Sequence, residues 1–290
     1  MTGLPHCWNT EQTVANTWEI GYTDQVMDIR PVGIFDSGLG GLTALSALRE
    51  LMPEENIVYF ADTARNPYGT RAPEQLRRMA GENLAFLAGF GVKAVIAACG
   101  TMSTNATDVL HASRIPVVNV LEPSVAAMAA VQGDAPLAVI ATDASIRSGG
   151  YTRALQRSCP GREVAALACQ EFVHLCETGH TAPDDPLVQE AVARCLAPLK
   201  AVKPAALLLG CTHFGLMAEA IRSELGDDVA LISAAECAAR SCRSLLEENG
   251  LTGGSGREEL YTSGSLREFE EKAEHFLHRP VKALYGSAGE

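Results

Sequence analysis

The sequence predicts an α/β protein with two related lobes, each built on a mainly parallel sheet that helices flank. Short apolar runs alternate with helix-length segments along the chain, which is typical of parallel sheets joined by crossover helices. In each half of the chain, one apolar run ends in a cysteine with a threonine close behind, at Cys99 and at Cys211. Ligands of open α/β sheets bind at the carboxyl ends of strands, so we expect the two cysteines to face one cleft.

Composition restricts the class of protein. The chain has 290 residues and a formal net charge of -12, which disfavours a nucleic-acid partner. Its nine cysteines are scattered and odd in number, so they indicate reduced thiols and a cytoplasmic location rather than a disulfide framework. Neither an apolar run of about 18 residues nor a signal-like apolar segment near the start is found. We therefore expect no membrane partner, and we interpret residues 1–30 as an N-terminal extension.

The elements of the first half follow in order. Predicted strands cover 32–35, 57–60, 94–98 and 115–120, and predicted helices cover about 42–51, 73–89 and the stretch from Cys99 through 112. A glycine-rich turn, 36–41, follows the first strand and places Asp36 level with Cys99. Thr43 stands where a dinucleotide-binding turn has its third glycine, and no phosphate-binding lysine follows. The turn is thus suited to direct backbone N–H groups at an anion without being a nucleotide fingerprint.

The second half repeats the alternation of strands and helices. Predicted strands cover 137–141, 164–168, 205–209, 230–232 and 259–262, and predicted helices cover 186–201, 234–248 and 266–277. Thr142 ends the first of these strands, and Ser145 precedes the next helix, which carries Tyr151. The similarity between the halves predicts related lobes without proving a duplication.

The residues beside the two cysteines favour acid–base chemistry. A thiol removes a proton only as its thiolate, and an unperturbed cysteine with a pKa of ~8.5 is mostly protonated at neutral pH. His213 beside Cys211, and Asp36 level with Cys99, are placed to hold or accept the proton of each thiol. The alternative is a pair of buried structural cysteines, which the ionisable neighbours make the weaker interpretation.

A series of motifs then carries a resemblance to a known family. The motifs are 33–43 (GIFDSGLGGLT), 62–71 (DTARNPYGTR), 98–101 (ACGT), 122–123 (EP), 146–151 (IRSGGY) and 210–213 (GCTH). With them the chain resembles the glutamate racemases, which belong to the cofactor-independent aspartate/glutamate racemase superfamily. The resemblance runs from about residue 31 to residue 277.

The resemblance implies an architecture and an activity. It implies two pseudo-symmetric α/β lobes, 31–125 plus 233–290 and 126–232, with the active site between them. It implies racemisation of L-glutamate to D-glutamate for peptidoglycan synthesis, with no cofactor and no metal. The partners it implies are an amino-acid substrate and a second copy of the chain, as a homodimer or in a monomer–dimer equilibrium.

The resemblance also implies roles for individual residues. Cys99 and Cys211 match the two acid/base thiols, Asp36 and His213 match their respective partners, and Glu177 matches the acid that supports the histidine. Substrate-contacting positions are matched by Ser37, Pro67, Tyr68, Gly69, Gly100, Thr101, Thr142, Ser145 and Thr212. By the same resemblance, Cys99 removes the proton of the D-isomer and Cys211 that of the L-isomer.

Three positions depart from the family's pattern. Gly100 stands where the family has an asparagine that contacts the substrate, Phe214-Gly215 replaces Tyr-Pro, and Ser145 replaces a threonine. The missing amide motivates an alternative, a related racemase acting on aspartate or another small amino acid. Three outcomes are open: the enzyme handles glutamate poorly, prefers another substrate, or compensates with a bridging water or a neighbour such as Ser103 or Asn105. We expect glutamate to remain the substrate with a high KM, and we expect Gly100→Asn to lower this KM if the loop accepts the side chain.

Other functions are disfavoured by the sequence. A pyridoxal phosphate enzyme needs a Schiff-base lysine, and none of the five lysines follows a strand within a motif. The cluster of Cys169, His174, Cys176 and His180 fits no paired zinc-ligand spacing. A non-catalytic regulator that only binds a ligand in the cleft is the third hypothesis, and the intact set of thiols and partners argues against it.

Overall fold

The computed structural model describes residues 27–289, and its two parallel sheets with flanking helices confirm the predicted fold class. Of the predicted extension, residues 1–30, the part up to residue 26 lies outside the described residues. Across residues 27–289, no helix has both the length and the apolar character needed to cross a bilayer.

The first sheet contains six strands. They are β1 Val32–Asp36, β2 Ile57–Ala61, β3 Ala94–Ala97, β4 Val117–Asn119, β9 Glu258–Thr262 and β10 Ala283–Tyr285. Their order is β10-β9-β2-β1-β3-β4, and every pairing is parallel. The central strands β1, β2 and β3 are buried at every residue, as expected for a parallel sheet that helices cover on both faces.

The second sheet contains four strands. They are β5 Leu137–Ala141, β6 Val164–Ala168, β7 Ala206–Leu209 and β8 Ala230–Ser233, in the order β6-β5-β7-β8 and again all parallel. Residues 233–290, from the end of β8 onwards, include β9 and β10 of the first sheet. The lobe boundaries 31–125 plus 233–290 and 126–232 remain our prediction.

Twelve α-helices are found in the described residues. They are α1 Leu42–Leu51, α2 Pro73–Ala88, α3 Gly100–Asn105, α4 Thr107–His111, α5 Leu121–Ala129, α6 Asp143–Ser148, α7 Gly150–Ser158, α8 Gln170–Glu177, α9 Pro186–Val202, α10 Ala218–Leu225, α11 Ala234–Glu248 and α12 Leu266–Leu277. Serine caps begin two of them, since Ser233 Oγ accepts the N–H of Glu236 and Ser265 Oγ accepts that of Glu268. Short 3₁₀ turns follow β2 and β7, at Thr63–Arg65, Tyr68–Thr70 and Thr212–Met217.

Three details of the predicted elements are wrong. The helix predicted from Cys99 through 112 is divided at Ala106, because serine, threonine and asparagine side chains here bond backbone carbonyls; the Thr107 hydroxyl, for example, donates to Ser103 O. The short helix α6, which Thr142 caps by accepting the N–H of Ser145, is absent from the prediction, although Ser145 does precede α7, the helix that carries Tyr151. The three-residue edge strand β10 was not predicted, because so short a segment carries no period.

A buried ion pair joins several strands at the amino-terminal edge of the first sheet. Lys93 Nζ lies 2.6 Å from Glu55 Oε2, and the two side chains are 0% and 2% exposed. The ammonium also donates to the carbonyls of Asp28 and Gly253, while Glu55 Oε1 accepts the N–H of Gly253. The pair therefore ties the segment before β1 to the loop before β9, at the opposite edge of the sheet from the cysteines.

Candidate active site

The two cysteines predicted to face one cleft line the same cavity. Cys99 follows β3 of the first sheet, Cys211 follows β7 of the second, and both side chains are buried. The cavity has a volume of about 30 Å³, which is room for roughly two water molecules. Its lining includes eight of the predicted substrate positions, namely Ser37, Pro67, Tyr68, Gly69, Gly100, Thr101, Thr142 and Thr212, together with His213.

Asp36 lies behind the cavity wall at the end of β1. Its carboxylate is fully buried, and Oδ2 accepts the N–H groups of Gly38 (3.3 Å) and Gly41 (3.0 Å), while Oδ1 has no hydrogen-bond partner within residues 27–289. Burial raises the pKa of Asp36 above its usual value, although the charge of His213 and the turn's N–H groups oppose this. A carboxylate with a raised pKa is a better proton acceptor than an exposed one.

Cys99 is held in its protonated form. Burial, and then the negative charge of Asp36, raise the pKa of this thiol well above its usual value, although the backbone N–H of Met102 opposes them. The Sγ atom donates to Ser37 Oγ at 3.9 Å. The structure thus places a thiol, rather than a thiolate, on this side of the cavity.

His213 places a positive charge beside Cys211, whereas Asp36 places a carboxylate near Cys99. Its Nδ1 lies 3.7 Å from Cys211 Sγ, and its Nε2 lies 3.4 Å from Glu177 Oε1. Burial alone lowers the pKa of His213, but the contacts with Cys211 and Glu177 and the charge of Asp36 raise it to about 10. The imidazole is therefore cationic at neutral pH, and a cationic imidazole favours negative charge on an adjacent sulfur.

Glu177 supports His213 from outside the cavity. It ends α8, and its Oε1 also accepts a hydrogen bond from Asn66 Nδ2 at 3.4 Å. Burial raises the pKa of Glu177, but the hydrogen bond and charge of His213, with help from Asn66 and Lys272, bring it below its usual value. The glutamate is thus an anion that holds the imidazole in its charged form.

A row of hydroxyl groups crosses from one sheet's loops to the other's. Thr101 Oγ1 lies 3.0 Å from Thr142 Oγ1, which donates to Ser145 Oγ at 2.9 Å. Ser145 is buried behind Thr142 and is not part of the cavity lining, unlike the other predicted substrate positions. Thr43 Oγ1 donates to the carbonyl of Thr212 at 3.1 Å and so adds a second contact between the two sides.

Tyr68 contributes to the cavity through its ring and backbone rather than its hydroxyl. The hydroxyl donates to Asp62 Oδ2 at 2.5 Å and accepts a hydrogen bond from Asn83 Nδ2 at 2.9 Å. Both partners are buried, so they fix the loop that carries Tyr68 and Gly69 at the cavity wall.

The sequence prediction missed four residues of the lining, namely Asn66, Gln170, Val173 and Gly210. A signal was present for Gln170, because it follows strand β6 by two positions and ligands bind at strand ends. Asn66 and Gly210 lie inside motifs quoted above, and Val173 offers no signal of its own.

Comparison with known proteins gives this site a family. Residues 43–242, more than half of the chain, match the Asp/Glu/Hydantoin racemase family. The chain belongs to this family. Among curated relatives, the glutamate racemase of Exiguobacterium sibiricum is 38% identical over 261 residues, which cover 88% of this chain and 94% of the relative. The glutamate racemase of Geobacter metallireducens is 36% identical over 263 residues, which cover 89% and 97%.

Solved racemase structures share the whole described fold. A glutamate racemase of Bacillus anthracis superposes with a TM-score of 0.84 at 32% identity and covers 90% of this chain and 98% of its own. The glutamate racemase of Francisella tularensis, solved in complex with D-glutamate, superposes with a TM-score of 0.82 at 33% identity, covering 91% and 98%. These matches confirm the resemblance, the fold class and membership of an isomerase family.

Gly100 departs from the racemase pattern at a place where no side chain fits. A Cβ atom at this position would overlap the backbone carbonyl oxygen of Gly210, which belongs to the other side of the cavity. The prediction that Gly100→Asn lowers KM requires a loop that accepts the side chain, and this closed arrangement does not meet that condition. The glycine instead permits close approach of the two strand ends that carry the thiols.

Two side chains that could replace the missing amide, Ser103 and Asn105, are committed to the backbone. Ser103 Oγ donates to the carbonyl of Ala97 and accepts the N–H of Val120, so it serves the backbone. Asn105 Nδ2 donates to the carbonyl of Thr101, and neither residue lines the cavity.

The departure at 214–215 lies away from the cavity lining. Phe214 is fully buried and packs edge-on against Phe172, with ring centroids 5.3 Å apart. This change therefore affects the core of the second sheet rather than the cavity.

Proposed function

We propose that this chain racemises glutamate, with one cysteine thiol acting on each face of the substrate's α-carbon. The observation that carries the proposal is the single cavity onto which Cys99 and Cys211 open from two different sheets. The names of the relatives described above, and the D-glutamate bound by the Francisella tularensis racemase, support glutamate as the substrate.

In the direction from L to D, Cys211 is the base. Its thiolate, beside the cationic His213, removes the α-proton of the L-isomer, and the protonated Cys99 returns a proton to the opposite face. The arrangement of charges supports this assignment, because the base lies beside a cation and the acid beside the anionic Asp36. Each step is general acid–base catalysis at carbon, for which both groups need a fixed position.

In the direction from D to L, the two thiols exchange roles. Cys99 then acts as thiolate, and Asp36, whose pKa burial raises, accepts the thiol's proton. His213 supplies the proton that makes Cys211 the acid. Asp36 and His213 therefore exchange protons with Cys99 and Cys211, respectively, so that one site acts on both isomers.

The carbanion that forms between the two steps needs stabilisation. Enzymes supply roughly 8–23 kcal/mol over an uncatalysed reaction, and preorganised hydrogen-bond donors in a dry site are a large part of this. Thr101, Thr142 and Thr212 line the cavity and support such a role toward the substrate's α-carboxylate.

The cavity must widen before an amino acid enters. Its volume of about 30 Å³ is too small for glutamate. The hydrogen bonds that bridge the two sides include those from Thr101 to Thr142, Thr43 to Thr212, Asn66 to Glu177 and Arg147 to Gly69, and they are lost when the sides separate. We infer that the described arrangement is the closed state, in which the thiols are shielded from bulk water.

Exchange of the substrate's α-proton with solvent tests the proposal. In deuterated water, L-glutamate is expected to lose its α-proton signal in the NMR spectrum while circular dichroism decays to zero. The same measurement on L-aspartate tests the alternative that Gly100 motivates. Exchange with aspartate alone would transfer the proposal to that substrate, and exchange with neither would refute a racemase of acidic amino acids.

We propose that the reaction needs no cofactor. None of the five lysines, all of which lie in the described residues, lines the cavity, and Lys93 is committed to its buried ion pair at the far edge of the sheet. Activity that survives hydroxylamine treatment and dialysis against a chelator is the expected result. Loss of activity that pyridoxal phosphate restores would refute this part of the proposal.

We propose further that the product, D-glutamate, supplies peptidoglycan synthesis in the cytoplasm. The support is the resemblance to glutamate racemases. Cells that lack the protein are expected to lyse or lose their shape unless D-glutamate is added to the medium. Normal growth of cells that lack the protein, in medium without D-glutamate, would contradict this role.

A further inference from the structure

The cavity has two ends, and the order of the strands separates them. Cys99 follows β3 and Cys211 follows β7. The loop with Gly69 follows β2, and Gln170 follows β6. In the first sheet one strand, β1, separates β2 from β3, and in the second sheet one strand, β5, separates β6 from β7. Since neighbouring strands are about 4.8 Å apart, the carboxyl ends of β2 and β6 lie about 9.5 Å along the two sheets from those of β3 and β7. A substrate whose α-carbon lies between the thiols extends its side chain toward Gly69 and Gln170.

The side-chain amide of Gln170 has a defined orientation at this end. Its Oε1 accepts the backbone N–H of Asp143 at 3.2 Å. A backbone N–H can only donate, so the oxygen must face Asp143 and the NH₂ group must point away from it. No described residue accepts a hydrogen bond from Nε2, although Gln170 lines the cavity. The residue therefore offers two free N–H donors.

A guanidinium lies outside this end of the cavity. Arg147 is exposed and is not part of the lining, and its Nη2 donates to the carbonyl of Gly69 at 3.3 Å, while no carboxylate of residues 27–289 pairs with it. Gly100, by contrast, offers only its backbone, and Ser103 and Asn105 are used elsewhere. Asn66 also lines the cavity, but its Nδ2 already donates to Glu177 Oε1. Among the described residues of the lining, Gln170 is therefore the side-chain amide whose NH₂ group has no partner.

We propose that Gln170 is a specificity-determining residue that donates from Nε2 to the side-chain carboxylate of the substrate. This inference rests on the proposed function and deepens it. It explains how a chain with glycine at position 100 still recognises an acidic amino acid. The proposed donor is Gln170, which follows β6 of the second sheet, rather than a side chain at position 100, directly after Cys99.

Two variants separate recognition from a structural role. Gln170→Ala removes the donor, and it is expected to raise the KM for glutamate tenfold to a hundredfold while kcat changes less than about threefold. Gln170→Glu keeps an oxygen for the N–H of Asp143 but replaces the donor with a negative charge. It is expected to raise KM more than Gln170→Ala does, because two carboxylates then repel each other.

A neighbouring residue supplies the control. Glu171→Gln also changes the charge by one unit, but Glu171 is exposed, pairs with Arg194 and does not line the cavity. Its KM is expected to equal that of the wild type. If Gln170→Glu also keeps the wild-type KM, Gln170 only orients the backbone and the inference is overturned.

The failure of this inference is distinguishable from failure of the proposed function. A wild type that racemises glutamate, with Gln170 variants of unchanged KM, overturns only the role of Gln170. A wild type that exchanges no α-proton of any acidic amino acid overturns the proposed function itself.

Discussion

Gly100→Ala tests whether catalysis depends on the close approach of the two sides of the cavity. The added Cβ would overlap Gly210 O, well inside the 3.0 Å that real Cβ atoms keep, and it would lie 3.3 Å from the Tyr151 hydroxyl. Tyr151 itself donates to Gly210 O at 3.1 Å, so the obstacle is a fixed backbone rather than a flexible side chain. The strand end at Gly210 precedes Cys211 directly, so any shift there moves a catalytic thiol.

The geometry gives the size of the effect. Relief of the overlap needs a movement of about 0.5–1 Å between the two sides, and a misplacement of 1 Å can cost about 10²-fold in rate. We therefore expect Gly100→Ala to lower kcat/KM for glutamate about a hundredfold. Mirror-image isomers have equal free energies, so the loss must be the same for L- and D-glutamate.

Polarimetric or circular-dichroism assays from both isomers measure this loss, with thermal unfolding as a check on the fold. Gly215→Ala is the matched control, because a Cβ at Gly215 meets no atom within 4 Å. That variant is expected to keep wild-type kinetics. A Gly100→Ala enzyme with wild-type kcat/KM would refute the claim that the closed approach of Gly100 and Gly210 is catalytically necessary.

Three further predictions follow from the site and the fold. Cys99→Ala and Cys211→Ala are each expected to lower the rate of racemisation by up to about 10⁴-fold, because each removes the acid or base on one face of the substrate's α-carbon. The rate is measured from the change in optical activity, and near-normal racemisation by either variant would exclude the two-thiol mechanism. Glu177→Gln is expected to lower the pKa of His213, which is raised from 6.5 to about 10. The stabilisation that comes from protonated His213 is complete below pH 6.5 and is lost as the pH rises toward 10. The unfolding free energy of Glu177→Gln should therefore fall less between pH 6.5 and 10 than that of the wild type. An unchanged pH dependence would contradict the pairing of His213 with Glu177. Lys93→Met leaves its carboxylate partner buried and unpaired, and urea unfolding is expected to show a loss of about 3–5 kcal/mol; a loss below about 1 kcal/mol would contradict the role of this ion pair.

Much of the fold was predictable because its elements are locally encoded. The strands β2, β5 and β7 are uniformly apolar runs between polar turns, and the chain's alternation of strands and helices leaves few topologies. The rule that ligands bind at strand ends then identified Cys99 and Cys211 without any knowledge of their separation. Patterns of this kind depend on sequence neighbours, which a single sequence displays.

The rest depended on contacts between residues far apart in the chain. That Gly100 abuts Gly210, and that the oxygen of Gln170 is held by Asp143, follow only from how the two sheets face each other. The division of the helix after Cys99 at Ala106 reflects competing side-chain hydrogen bonds, which apolar periodicity does not report. Such features need the tertiary arrangement, and for this reason the sequence alone did not show that Ser103 and Asn105 are committed to the backbone.

The charges beside the two thiols have opposite signs, and this opposition explains how one cleft serves both isomers in the proposed reaction. Burial and the charge of Asp36 favour the thiol form of Cys99, which is the form that returns a proton, while the cationic His213 lies 3.7 Å from Cys211, the base of the proposed L-to-D direction. In the proposed reaction, a turnover from L to D leaves a proton on Cys211 and none on Cys99, which is the distribution that the D-isomer requires. The charge of His213 lowers the pKa of Asp36, and the charge of Asp36 raises that of His213. A proton that leaves one of these two groups thus changes the affinity of the other for a proton, and this coupling supports the proposal that the two thiols alternate as acid and base.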